Sequence, residues 1–572
     1  MHFSRRAILK AAASAVPAFW LQRASAQPAQ GNAAAAVGTP PTNFPPKAAF
    51  PVGQRTIAEG PFKPNWQSLM QYQVPDWFRD AKFGIWAHWS AQCLPEQGDW
   101  YARNMYIQGH RHYNYHVRTY GHPSEFGFME IDKLWKAEKW DPQALVDRYK
   151  KAGAKYFVAL ANHHDNFDNY DSTHHEWNSV RVGPKKDLIK GWADATRSAG
   201  LRFGVTNHSA HAWRWFQPAY NYDVTGEKAG VRYDAFRLRK EDGRGKWWEG
   251  LDPQALYGGP NIVMPDGLAT AAESNQFYSR NPPLSNEVPP NNPEFVARWY
   301  ARCQELVDKY DPDLLYFDNG GPPLEQAGLD IAAHYYNGNI QRRGKLEAVL
   351  NLKGLRPEQM GAVVMDYERG SATDIQPYPW QTDTCIGDWH YNRATYDGDR
   401  YKTALQVVQM FIDIVSKNGN LLLNIPVRGD GSIDEKEIAV LDGITAWTQM
   451  NGEGIYGTRP WKVYGEGPST TNVTRGQFGG TRDVRPYTVE DIRFTAKGDI
   501  VYAFAMGWPE SRRLVIKSLA KGSAHYPGEI GRVELLGGGP QAVARDENGA
   551  TVTLPESPPG QFAHVFKVLS KA

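Results

Sequence analysis

Residues 140 to 165 read WDPQALVDRYKKAGAKYFVALANHHD, and this stretch constrains the fold more than any other. Asp141 is placed to cap a helix whose first position is Pro142, an arrangement that helix starts favour. Leu145, Val146 and Tyr149 share one face, and Gly153 closes the helix. Tyr156 to Leu160 then runs apolar without alternation, as a strand covered on both faces does. Residues 291 to 319, NNPEFVARWYARCQELVDKYDPDLLYFDN, repeat the plan. Asn292 caps, Pro293 follows, and Phe295, Val296, Trp299, Cys303, Leu306 and Val307 form the stripe ahead of a strand ending at Asp318. Helix then buried strand, repeated, implies a parallel sheet with both faces covered.

The residues at the end of each apolar run narrow the choice. FGIWAHW leads to His88, YFVALANHHD to His163, His164 and Asp165, and RFGVTNHSAH to Asn207, His208 and His211. LLYFD leads to Asp318, LEAVLNLK to Lys353, AVVMDYE to Asp366 and Glu368, and NLLLNIP to Asn424. In a (β/α)8 barrel the C-terminal strand ends converge on one face, so these groups would share a pocket. An open doubly wound sheet is the rival, but no glycine-rich nucleotide fingerprint follows an early strand. Asp318, in DPDLLYFDNGGPP, admits two readings. Asp, Asn and Gly favour turns, and strand ends of parallel barrels carry catalysis.

After about residue 455 the pattern becomes short β-type runs: DIRFTAKGDIVYAFAMGW, RRLVIKSL, RVELLGG, ATVTLP and FAHVFKVL. This predicts an antiparallel sandwich over 456–572 behind a barrel over 61–455. Residues 27–60, rich in Ala, Pro and Gly, read as a linker or loosely attached arm. Residues 1–26 pair Arg5 and Arg6 with an apolar middle and ASA at 24 to 26, which resembles a bacterial twin-arginine export signal. The reading expects a periplasmic or secreted protein. No run approaches the length of a membrane span. A net charge of +2 offers no footprint for nucleic acid. Cys93, Cys303 and Cys385 lie too far apart for a zinc motif or a disulfide framework.

Six segments carry a family resemblance: KFGIWAHWS (82 to 90), GDWYARNMY (98 to 106), GAKYFVALANHHDNF (153 to 167), YDPDLLYFD (310 to 318), VSKNGNLLLNIPVRGDGSI (415 to 433) and NGEGIYGTRPW (451 to 461). Together, in this order, they resemble the α-L-fucosidases of glycoside hydrolase family 29. The resemblance implies a retaining mechanism on fucosylated glycans or polysaccharides, with Asp318 as nucleophile at the end of the fourth strand. It implies an acid/base further on, for which Glu368 is preferred over its neighbour Asp366 and over Glu325, Glu347 and Glu358. Two residues apart on a strand, Asp366 and Glu368 would point the same way. His88, Trp100, His163, His164 and His208 are carried over as sugar ligands, with Asp99 where Glu is usual and Lys353 where Arg is usual. Tyr316 stands where Trp is common. No metal and no cofactor is implied, although histidine is the commonest metal ligand. Residues 217 to 292 are expected to form loops over the pocket, in which Trp247 and Trp248 either stack a leaving-group sugar or cover the barrel. A retaining enzyme for another L-sugar, such as an α-L-galactoside, is the first alternative. A carbohydrate-binding protein without activity is the second.

Overall fold

The computed structural model describes residues 43–470 and 486–571. The twin-arginine segment and residues 27–42 of the expected arm lie outside these residues. Eight parallel strands close into a barrel: β1 Phe83–Ala87, β2 Tyr156–Asn162, β3 Arg202–Asn207, β4 Leu314–Gly320, β5 Val349–Lys353, β6 Val364–Asp366, β7 Trp380–Cys385 and β8 Gly419–Asn424. β8 pairs with β1, with Leu421 opposite Phe83 and Asn424 opposite Trp86, which completes the ring. Helices between the strands cover the outside. Pro142–Lys151 is capped by Asp141, whose side chain accepts from the Ala144 N–H, and Pro293–Tyr310 is capped in the same way by Asn292. The apolar stripe of the second helix is buried throughout.

β7 has no counterpart among the apolar runs. Its sequence, WQTDTC, is polar at four central positions, yet all six residues are buried. They face the barrel interior and the strand neighbours rather than water. Gln381 meets both Tyr156 and Asp366, and the Thr382 hydroxyl donates to the Gly370 carbonyl. A search for hydrophobic runs cannot find such a strand.

Residues 43–60 run along the outside of the barrel. Arg55 pairs with Asp330, the Ala58 N–H donates to His334, and Asn337 bridges Ala58 and Phe62. These bonds fix the described part of the segment whose composition reads as a linker.

Beyond helix Glu435–Asn451 the chain enters the second set of strands: β9 Arg459–Glu466, β10 Ile492–Lys497, β11 Ile500–Ala505, β12 Arg513–Ile516, β13 Ile530–Leu535, β14 Gly539–Gln541, β15 Val543–Asp546, β16 Gly549–Thr553 and β17 His564–Ser570. Six form an antiparallel sheet in the order β14-β13-β17-β11-β10-β9, and β12-β16-β15 form another. Phe494, Ala503, Leu514, Val552 and Phe566 belong to the core they share. Tyr502, Phe504 and Val565 belong instead to the barrel's core cluster, which joins the two parts. No helix among the described residues is long and apolar enough to cross a membrane.

Candidate active site

The C-terminal strand ends open on a cavity of about 710 Å³. His88, Asp99, Trp100, His163, His164, His208, Asp318, Lys353 and Glu368 all line it. His211, at the end of the RFGVTNHSAH run, lines it as well, and so do residues that the sequence reading had not singled out: Trp86 from β1, Ser285 and Asn286 from the loops, and Arg369, Asp383, Trp389 and His390 from the β6–β8 sector. The signal for the last group was weak, because Asp383 sits within the polar strand β7 and Trp389–His390 in the loop behind it.

The centre of the site is an ammonium group. Lys353 Nζ lies 2.5 Å from Asp318 Oδ1, 2.5 Å from Glu368 Oε2 and 3.7 Å from Asp383 Oδ2. Two oxygens each 2.5 Å from one nitrogen are at most twice that apart, about 5 Å. Retaining glycosidases hold their carboxyl pair about 5 to 5.5 Å apart. Burial alone would lower the lysine's pKa, but the surrounding carboxylates outweigh it and hold Lys353 well above its usual range.

The two carboxyls differ in their surroundings. Burial pushes Asp318 up, but the Lys353 charge and contacts from His164 and His208 overcome it and hold the acid well below the usual range. His164 Nε2 is 3.4 Å and His208 Nδ1 3.3 Å from Asp318 Oδ2, and the His211 Nε2 approaches the Asp318 carbonyl oxygen at 2.9 Å. Glu368 is pushed up to about 7, first by burial and further by Asp383 and Asp318, with Lys353 opposing. The pair therefore offers one ionised carboxylate and one that keeps its proton into neutral pH.

Asp366 does not share the cavity. β6 stops at Asp366, so strand alternation does not carry on to Glu368. Asp366 is fully buried beneath the pocket, accepting from Gln381 Nε2 at 2.8 Å and hydrogen-bonded to Asp383. Burial and the Asp383 charge push it well above the carboxylate range. Glu347 pairs with Arg202 and Lys345, Glu358 pairs with Arg356 near the surface, and neither they nor Glu325 line the cavity. Trp247 and Trp248 do not reach the cavity either. Trp247 donates to Glu130 and stacks edge-on to Trp177, while Trp248 is buried against Gly243, so this pair covers the barrel. From the 217 to 292 segment it is Leu284, Ser285 and Asn286 that reach the pocket.

Beside the carboxyls stands a set of imidazoles. The rings of His88, His163 and His208 lie 5.0 to 5.2 Å apart, centre to centre. Burial, and then the neighbouring histidines, hold His88 and His163 well below the usual imidazole range. Burial takes His208 down to about 4 against the pull of Asp318. Gln92 Nε2 donates to His163 Nδ1 at 2.9 Å, which leaves the ring proton on Nε2, facing the cavity. Both ring nitrogens of His88 are buried without a partner. Neutral rings with free donors and acceptors suit hydroxyl groups. Asp99 does not reach across freely. Its Oδ1 accepts from the His390 N–H at 2.8 Å and stands 3.5 Å from the His390 ring.

Two groups of three, His88–His163–His208 and His164–His208–Asp318, have potential ligand atoms within 4.8 Å of one another. Neither fits a resident metal. A ligating histidine normally donates its other N–H to a partner, whereas His163 accepts there, and Asp318 is already paired with an ammonium.

A parallel barrel whose strand ends bring two carboxyls onto one ammonium, beside neutral imidazoles, has the make-up of a glycoside hydrolase site. The comparisons with known proteins are specific. The family model described as Alpha-L-fucosidase matches residues 50–453, and the chain belongs to this family. The plasma alpha-L-fucosidase of Homo sapiens is 26% identical over 516 residues, covering 86% of this chain and 89% of that one. The tissue alpha-L-fucosidase of Homo sapiens is also 26% identical, over 522 residues, covering 89% of this chain and 91% of that one. The crystal structure of Thermotoga maritima alpha-fucosidase in complex with fucose superposes with a TM-score of 0.63 at 28% identity, covering 89% of this chain and 100% of that one.

Proposed function

We propose that this protein is a retaining exo-α-L-fucosidase that releases terminal fucosyl residues from glycans or polysaccharides by double displacement. The observation that carries the reading is the Lys353-bridged pair, an ionised Asp318 and a protonated Glu368, each with an oxygen 2.5 Å from the same ammonium nitrogen. Asp318 attacks the anomeric carbon, and Glu368 gives its proton to the departing oxygen. In the second half, Glu368 takes a proton from water as that water displaces Asp318. His88, Trp100, His163, His164 and His208 hold the sugar, whose hydroxyls meet the imidazoles and whose 5-methyl group meets the aromatic wall of Trp86 and Trp389. Neither step calls on a metal. The N-terminal sequence supports a bacterial protein exported by the twin-arginine route, to work outside the cytoplasm.

His208 favours a second activity on α-L-galactosides. Its ring is buried against Trp86 and Tyr316, and its Nε2 has no partner, so the aromatic wall holds one group able to meet an added hydroxyl.

A panel of aryl glycosides, assayed before and after exhaustive chelation, tests the reading. Aryl α-L-fucoside should be hydrolysed in both conditions, with the first-formed fucose in the α configuration by NMR. Activity lost to the chelator and recovered with zinc, or a β product, would overturn it.

A further inference from the structure

We propose that Asp383 is a positioning residue that holds the Lys353 ammonium midway between Asp318 and Glu368, so that one cation serves nucleophile and acid/base at once. The inference rests on the fucosidase reading of the site. Lys353 sits at the end of β5, and Asp318 and Glu368 approach it from β4 and from the loop after β6. Those two alone would leave the ammonium free to settle on whichever carboxylate is ionised. Asp383, from β7, provides a third anchor 3.7 Å away and fully within the barrel.

Asp383 is itself held. The Tyr316 hydroxyl donates to its Oδ2 at 3.0 Å, and Asp366 hydrogen-bonds it from β6. Burial and the Asp383 charge push Asp366 well above the carboxylate range, so Asp366 keeps a proton to donate to Asp383. Tyr316 thus gains a use for its hydroxyl that the Trp common at this position does not have. The polar strand β7, invisible to a hydrophobic search, then exists to place this carboxylate.

Glu368 faces Lys353 from β5, Asp318 from β4, Asp383 from β7, and Arg369 from its own loop. This set makes the sign of the test unambiguous. Asp383→Asn removes a negative charge from near Glu368 and frees Lys353 to lean toward it, and both effects ease ionisation of Glu368. The basic limb of kcat/KM on a fucosyl disaccharide should move down by about one pH unit, a typical size for one nearby charge. Lys353→Met should move it up. A role confined to packing would lower kcat without moving the limb.

A second readout needs no turnover. In protein labelled with 13C at glutamate carboxyls, the Glu368 signal, assigned by its loss in Glu368→Gln, should titrate lower in Asp383→Asn and higher in Lys353→Met. A Glu368 titration unmoved in Asp383→Asn, or moved upward, overturns the proposal. Should circular dichroism show Asp383→Asn unfolded, Asp383→Ala takes its place, and a Glu368 signal unmoved there is equally fatal. Shifted titrations in a protein that cleaves no fucoside would defeat the fucosidase reading and leave the placement of Lys353 by Asp383 standing.

Discussion

Asp318 and Glu368 are both carboxylic acids, with nearly the same acidity in water. The pocket drives them apart, since both feel burial and Lys353 but only Asp318 also has His164 and His208 against its carboxylate. Activity should therefore fall as pH rises through about 7, where Glu368 loses the proton it must donate, while Asp318 stays ionised throughout. Asp318→Ala should remove at least about 10⁴-fold of the turnover without unfolding the chain, as loss of a covalent nucleophile does. A slow fluorinated fucoside should leave its label on Asp318 by mass spectrometry, and a label on another carboxylate would reassign the nucleophile. Glu368→Gln should keep much of its rate of glycosylation on aryl fucosides with good leaving groups. On fucosyl disaccharides, whose leaving oxygen needs a proton, it should lose about 10² to 10⁴-fold. Azide, which needs no base, should restore the second step and give a fucosyl azide of retained configuration. Most of this was legible in the sequence, because Asp318, Lys353 and the histidines each end an apolar run. His390 was not, since it follows a strand with no apolar run to announce it.

The distinction between Glu368 and Asp366 belongs to the element that carries them. Spacing by two predicts a shared face only while the strand lasts, and β6 is three residues long. It ends at Asp366, which is still in register with β5, with Lys353 opposite it. The chain then turns at Tyr367 and brings Glu368 over the pocket, and Arg369 takes a left-handed φ of 47°. Asp366 stays underneath, bonded to Gln381 and Asp383. Asp366→Asn should therefore lose no more on disaccharides than on aryl fucosides, and azide should not rescue it. A fucosyl azide formed by Asp366→Asn and never by Glu368→Gln would exchange the two roles. The length of a strand depends on its neighbours' register, which no local pattern in the sequence contains. The polarity of β7 has the same origin, because Gln381, Thr382 and Asp383 find their partners on β2, on β4 and on the loop after β6.

At the scale of the whole molecule, barrel and sandwich are joined by a buried ion cluster. Asp413, on helix Ala404–Ser416, accepts from Arg493 Nε of β10 at 2.6 Å and from Lys417 Nζ at 2.6 Å, and Arg493 also donates to the Ser469 hydroxyl. The surroundings reinforce the join: Trp447 Nε1 donates to the Ala563 carbonyl across the same boundary, and Tyr502 and Phe504 pack into the barrel's core. Burial pushes Asp413 up, but Lys417 and Arg493 together outweigh it and bring the carboxyl down to about 2. Burial lowers Lys417 more than Asp413 raises it, whereas Asp413 and its tyrosine neighbours hold Arg493 above its usual range. A folded pKa of about 2 lies below the ordinary 3.8, so the stabilisation is complete above pH 3.8 and is lost as the pH falls through about 2. The difference amounts to about 2 kcal/mol. Replacing Asp413 by Asn costs more than that, about 3 kcal/mol, because two buried cations are left without a counter-charge. Thermal unfolding followed from pH 7 to pH 2 should show the variant destabilised most at neutral pH. The gap to the parent should narrow as acid protonates Asp413 in the parent. A gap that stays constant over this range would mean that the charge of Asp413 does not join the barrel to the sandwich.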